Sequence, residues 1–305
     1  MAGWKVASAT RKLIFKDKGL LAYPIISAFL ILIDAGVAFA VWLFVQFLTA
    51  GAGLALANAQ HTTTVTLWGE LLIPTSILVF VLFAVLADFT SVLFLLAMLL
   101  SFREFSMKGQ KMGMSQALSQ AMQYKNVIIK WSIFWTFVIL PIEIIEGVIS
   151  GKKKSHLVSR LVFRFLVNTT LAIALMFVFP IMLDDKVGPI EAMKRSVSTF
   201  VGRFGNTVGG LIYTDLYPLL LMLLGLVVIV AAILYVPAPF NVALASVGII
   251  IWGFALVLKD CTMNAFKLIL YDAKEGRPLP EGFSQDMIAG AFKQQQQPPS
   301  SPGSI

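Results

Sequence analysis

Apolar and polar residues are sorted along this chain into long blocks, not scattered. Six apolar runs stand out, near 20–48, 71–101, 127–149, 161–183, 210–235 and 240–258. About 20 apolar residues are enough to cross a hydrocarbon core as a helix. A barrel strand would instead alternate over about 10 residues. The pattern therefore predicts an all-α fold, a polytopic helical membrane bundle with about six membrane segments. The first two runs have length to spare and are expected to tilt. Residues 1–283 read as one helical membrane domain. Residues 284–305 read as a polar tail, ending in the low-complexity QQQQPPSSPGSI, and are expected to be disordered.

Between the runs lie short stretches with helical periodicity. Met114, Ala117, Leu118, Ala121 and Met122 follow one helical face, opposite Ser115, Gln116, Ser119, Gln120 and Gln123. Ile190, Met193, Val197, Phe200 and Val201 share a second such face, with Lys194, Arg195, Ser198 and Arg203 over the rest. Gly188 and Pro189 suit the start of that helix. Amphipathic helices of this kind lie in the headgroup plane, so Lys194, Arg195 and Arg203 are candidate interfacial contacts. Gly113/Ala117, Gly188/Ala192 and Gly3/Ala7 share one spacing, each ahead of an apolar run. A repeated unit of interfacial helix followed by span is expected. A further interfacial helix is expected over 259–274.

Charge adds orientation. Lys and Arg gather at 5–18, 103–130, 152–164, 186–203 and 259–293, and none falls in 51–70 or 236–241. Cationic residues mark loops retained on the cytoplasmic side. Both termini and the amphipathic helices are thus expected in the cytoplasm, with the protein multi-pass in a cell inner membrane. Trp68, Tyr235 and Phe240 sit near the outer ends, where amphipathic rings are favoured. The N-terminal run reads as a retained signal anchor, because it is much longer than a cleavable apolar region. Only 152–154 conflicts. If 127–149 and 161–183 both cross fully, these lysines lie outside, and full crossing is still the expectation. Pro141 would permit the bend of a re-entrant alternative.

Composition agrees with a membrane. The 305 residues are 58% hydrophobic and 13% charged, against about 25% charged in soluble domains, and mean hydropathy is +0.85. The net charge of +8 is read as a topology signal beside anionic lipid, and no nucleic-acid partner is expected. A lone cysteine, Cys261, and two distant histidines, His61 and His156, exclude an intrachain disulfide and a Cys/His zinc site. No cofactor or metal is expected.

Ionisable residues within a bilayer are functional candidates by default. Asp34 lies 16 residues beyond Lys18, roughly 24 Å along a helix, and Asp88 lies 15 residues before Arg103, roughly 22 Å. If the first two runs form a hairpin, both carboxylates lie at similar depth and form a candidate proton or cation site. The bland alternative is a neutral aspartate bonded across a helix interface. Glu143 and Glu146 are expected to balance 152–154, and Arg164 to snorkel. Asp184, Asp185 and Asp215 fall near boundaries, where no special role is required. No Gly-x-Ser-x-Gly, phosphate loop or His-Glu-x-x-His is present.

Asp184-Asp185-Lys186-Val187-Gly188-Pro189-Ile190-Glu191-Ala192-Met193-Lys194-Arg195-Ser196, following Phe179-Pro180, is similar to a pattern in bacterial and archaeal membrane proteins. With Lys12 to Lys18, Tyr23-Pro24 and Leu270 to Gly276, the chain resembles, over 3–283, an uncharacterised polytopic membrane family. More distantly it resembles the membrane domain of glycerophosphodiester phosphodiesterases. The resemblance implies several helical spans and transfers no catalytic residue. The leading expectation is a non-catalytic membrane scaffold or assembly component that forms oligomers. Its partners are then membrane lipids and further copies or other membrane proteins. The alternative is a proton- or cation-coupled transporter or channel using Asp34 and Asp88. A lipid-processing enzyme is the third reading.

Overall fold

The computed structural model describes residues 2–57, 64–150, 170–203 and 208–284, with side chains over 5–48, 75–138, 170–201 and 216–284. Every described element is helical: α1 (Ala2–Lys16), a short 3-10 turn (Lys18–Leu21), α2 (Ala22–Ala57), α3 (Thr64–Lys108), α4 (Met114–Met122), α5 (Lys125–Ser150), α6 (Val178–Asp185), α7 (Pro189–Arg203), α8 (Val208–Tyr235) and α9 (Phe240–Lys274). Among the described residues, four stretches are long and apolar enough to cross a membrane: Lys18–Leu48, Thr75–Lys108, Leu216–Tyr235 and Phe240–Lys274. They fall on four of the six apolar runs. The third run lies within α5. The fourth is described only from residue 170, and there it is not one continuous helix. The 152–154 lysines, Arg164, Asn168, His61 and the tail beyond Ser284 lie outside the described residues.

The long helices form two hairpins, α2 with α3 and α8 with α9. In the first, Ser76 Oγ accepts from Trp42 Nε1 at 3.1 Å and from Gln46 Nε2 at 2.8 Å. In the second, backbones approach closely where Gly225 meets Gly248. Much of 51–70 is helical, not loop, because α2 runs on to Ala57 and α3 starts at Thr64. The Ala/Leu-rich 52–57 is good helix-forming sequence. Likewise 259–274 is no separate interfacial helix. It is the continuous end of α9, and its residues from Leu258 to Tyr271 are largely buried.

Apolar residues have two fates along one helix. On α3, Ile77, Leu78, Phe80, Leu82 and Leu86 are exposed, whereas Val92, Phe94, Leu96, Met98 and Leu99 are buried. On α9, exposure continues to Leu256 and burial starts near Leu258. The packed core therefore sits at the end of the molecule where the described Lys and Arg collect. α3 has 45 residues, about 67 Å at 1.5 Å each, more than twice a hydrocarbon core of about 30 Å. Its surplus is built into that core.

The short helices pack onto the longer ones. α4 lies on α3, α7 on α6 and α5, and α1 on α9 and α8. Each thus touches a helix that returns to the core end, and α1 joins the last of these to the start of the chain. Ala7, Ala117 and Ala192 are all buried, so small side chains let each helix approach. The returning helices turn at left-handed residues: Gly109 after α3 (φ 69°), Lys186 after α6 (φ 52°) and Gly276 after α9 (φ 73°).

α7 keeps part of its apolar face exposed and packs through its small residues. It buries Ala192, Ser196, Thr199 and Phe200 and leaves Ile190, Val197 and Val201 exposed. The reason lies in its partner. Residues 170–174 are helical, the chain breaks at 175–177, and α6 restarts at Val178. Phe177 N–H at this break donates to Ser196 Oγ at 2.9 Å. Both residues are fully buried, so α7 supplies an acceptor to a backbone N–H at the break, away from water. Ser196→Ala is expected to cost about 1–3 kcal/mol, measured by thermal unfolding in detergent. Ser196→Thr should retain more of the stability than Ser196→Ala, and equal loss in both would speak against the hydrogen bond.

Candidate functional site

A cavity of about 560 Å³ opens where exposed apolar helix gives way to packed core. α3 contributes Asp88, Ser91 and Leu95. α5 contributes Trp131 and Trp135, and α9 contributes Lys259, Asp260, Asn264 and Lys267. Asp260 and Asn264 are one turn apart, and Asn264 Nδ2 donates to Asp260 Oδ1 at 2.8 Å. Asp88 Oδ2 is buried without a hydrogen-bond partner. Trp131 stacks on Trp135 with centroids 5.7 Å apart and meets Phe179 edge-on at 5.5 Å, giving an aromatic wall. A smaller cavity, about 200 Å³, lies against α2 at Pro24, Ser27 and Ile31 and shares Ser91, Leu95 and Asp260. Asp260 thus borders both spaces.

Asp34 is on α2, half-buried, and is not among the residues lining the larger cavity. The partner brought to Asp88 is Asp260, 172 residues away in sequence (260 − 88). The sequence carried a weak signal: Lys259, Asp260 and Lys267 follow a run of apolar residues on one uninterrupted helix.

Below the cavity, four charged side chains close a ring. Arg103 at the end of α3 binds Asp272 of α9 through two hydrogen bonds, Nε to Oδ2 at 3.1 Å and Nη2 to Oδ1 at 2.7 Å. Its Nη1 reaches Asp184 of α6 at 2.8 Å. Arg277 binds Asp184 Oδ2 at 2.6 Å and also Asp272 Oδ1. Burial opposes the Arg277 charge, but the hydrogen bonds to Asp184 and Asp272 outweigh it and hold the guanidinium above the usual arginine range. The ring ties α3, α6 and α9 together at their last turns. Asp184 has a clear structural task that its place at a boundary did not disclose.

Among the interfacial candidates, Arg195 pairs with Asp185 at 2.9 Å and Glu191 at 2.8 Å on the exposed side of α7. The Arg195 hydrogen bond holds the Glu191 carboxyl below its usual range. Lys194 borders a groove of about 630 Å³ lined by Phe134, Ala174, Ile190, Met193, Val197 and Val201. Arg203 ends α7, and its side chain lies outside those described, as do those of Glu143, Glu146 and Asp215. Among the described residues, no three His, Cys, Asp or Glu side chains gather as a metal ion would require. Cys261 is buried with a free thiol.

No family model, curated protein or solved structure matches the chain.

Proposed function

We propose that this chain is a non-catalytic integral membrane protein, a scaffold or assembly component that oligomerises through its membrane-facing sides. It is anchored by the α2/α3 and α8/α9 hairpins and carries its packed core on the cytoplasmic side. The observation behind this reading is the sorting of exposed and buried apolar residues. Leu32, Phe47, Leu82, Ile233 and Ile250 stand fully out on the hairpins, while the end bearing the described Lys and Arg is closed and packed. A large exposed apolar surface marks a lipid or protein contact, and cations mark the cytoplasmic face. The exposed apolar strip of α7 beside Lys194 suits contact with that leaflet. Both termini are then cytoplasmic in a cell inner membrane.

Cysteine labelling tests the orientation. In a background with Cys261 replaced, Thr63→Cys should label from outside and Ser301→Cys only after the cell is opened. Ser155→Cys decides whether 127–149 and 161–183 cross. Labelling of Ser301→Cys from outside would overturn the orientation.

A proton- or cation-coupled transporter is the second reading, favoured by Asp88 and Asp260 in one cavity. In proteoliposomes, the scaffold reading expects no proton or cation flux above empty vesicles. Flux lost in Asp88→Asn would replace it with transport.

A further inference from the structure

The cavity bordered by Asp88 and Asp260 sits where the exposed apolar faces of α3 and α9 end, beyond Leu86 and Leu256. In a bilayer this is the depth of the headgroups. Its lining carries both signs in balance, with Asp88 and Asp260 set against Lys259 and Lys267. A net anion would meet two carboxylates, and an apolar guest would leave Asp88 Oδ2 still orphaned. A guest with its own separated cation and anion gives Asp88 Oδ2 a donor and places its negative charge on the lysine side of the lining. The remaining wall is apolar and aromatic, through Leu256, Trp131 and Trp135.

We propose that this cavity binds the headgroup of a zwitterionic phospholipid carrying a primary ammonium. The inference rests on the membrane reading above. The ammonium donates to Asp88 Oδ2 and to the Asp260 carboxylate. The phosphate lies toward Lys259 and Lys267, and the acyl chains follow the exposed sides of α3 and α9. A primary ammonium is specified because Asp88 Oδ2 has no hydrogen-bond donor, and a quaternary ammonium has none to give.

The full chain would be solubilised from vesicles of phosphatidylethanolamine, phosphatidylcholine and phosphatidylglycerol in equal parts, and retained lipid counted by native mass spectrometry. Phosphatidylethanolamine should be retained over each of the others by roughly tenfold or more, as charge-assisted hydrogen bonds predict. Asp88→Asn and Asp260→Asn should each erase most of that preference, while Asp34→Asn should leave it intact. Lys267→Met should weaken retention and serves if an aspartate variant fails to fold. Glycerophosphoethanolamine, the same headgroup without chains, should not displace the lipid; displacement would overturn a lipid as the ligand. Equal retention of phosphatidylcholine or phosphatidylglycerol, or a preference unchanged in the folded variants, would overturn the site. Such failure with the chain still requiring detergent leaves the membrane reading standing. A chain that stays soluble without detergent ends both.

Discussion

Replacing Arg103 with alanine is expected to destabilise the protein by about 3–5 kcal/mol. The Arg103, Asp184 and Asp272 side chains are 18%, 14% and 9% exposed, so solvent cannot replace a lost partner well. Removing Arg103 deletes three hydrogen bonds and leaves two carboxylates sharing Arg277, itself 31% exposed. Arg103→Lys keeps the charge but loses the planar fork that grips Asp272, and should cost roughly 1–3 kcal/mol. Arg103→Leu with Asp272→Leu removes one charge of each sign and leaves the Asp184–Arg277 pair. That double variant should lose less than the sum of the singles. Thermal unfolding in detergent measures all of these. A midpoint for Arg103→Ala indistinguishable from the parent would mean the ring holds nothing together.

The second large effect is expected at Gly248. A Cβ there would sit 2.7 Å from Ile229 Cγ1 and 2.8 Å from Gly225 O. One at Gly225 would sit 2.8 Å from Gly248 O and 3.0 Å from Trp252 N. The obstacle is backbone on both sides, so a rotamer change cannot relieve it. Gly248→Ala should cost about 1–3 kcal/mol by overpacking, and Gly248→Leu should drive α8 and α9 apart. Gly253, five residues further along the same helix, would meet nothing within 4 Å. Gly253→Ala is therefore expected to be neutral or to stabilise the helix by up to about 1 kcal/mol. Disulfide trapping between cysteines on α8 and α9 reads the separation directly. Equal trapping yields in Gly248→Leu and the parent would contradict the close approach.

Much of the architecture was legible because it depends on quantities that run along the chain. The α2/α3 and α8/α9 hairpins follow from apolar runs about as long as a bilayer requires or longer, separated by segments without Lys or Arg. The site was legible only in part. Asp88 stands out as an ionisable residue in an apolar run, but its companion is Asp260, and Asp34 stays on another part of α2. Asp184 reads as an ordinary boundary charge, and nothing marks out Arg103 or Asp272 as its partners, because nothing local records that three distant helix ends converge.

The sequence by itself determined that the chain is helical and at which ends its cations gather; it pointed to about six membrane segments, of which four appear among the described residues as helices long and apolar enough to cross. Run length, period and charge suffice for these, since each is a property of neighbours in sequence. Only the tertiary structure decided which apolar residues meet protein. Leu86 is exposed and Leu96 is buried on one continuous helix. Hydropathy cannot separate the two, because hydrocarbon and protein interior are equally dry. The same holds for α7, which turned its small residues inward because Ser196 had a broken helix to satisfy. Packing and hydrogen bonds between segments far apart in sequence set that choice.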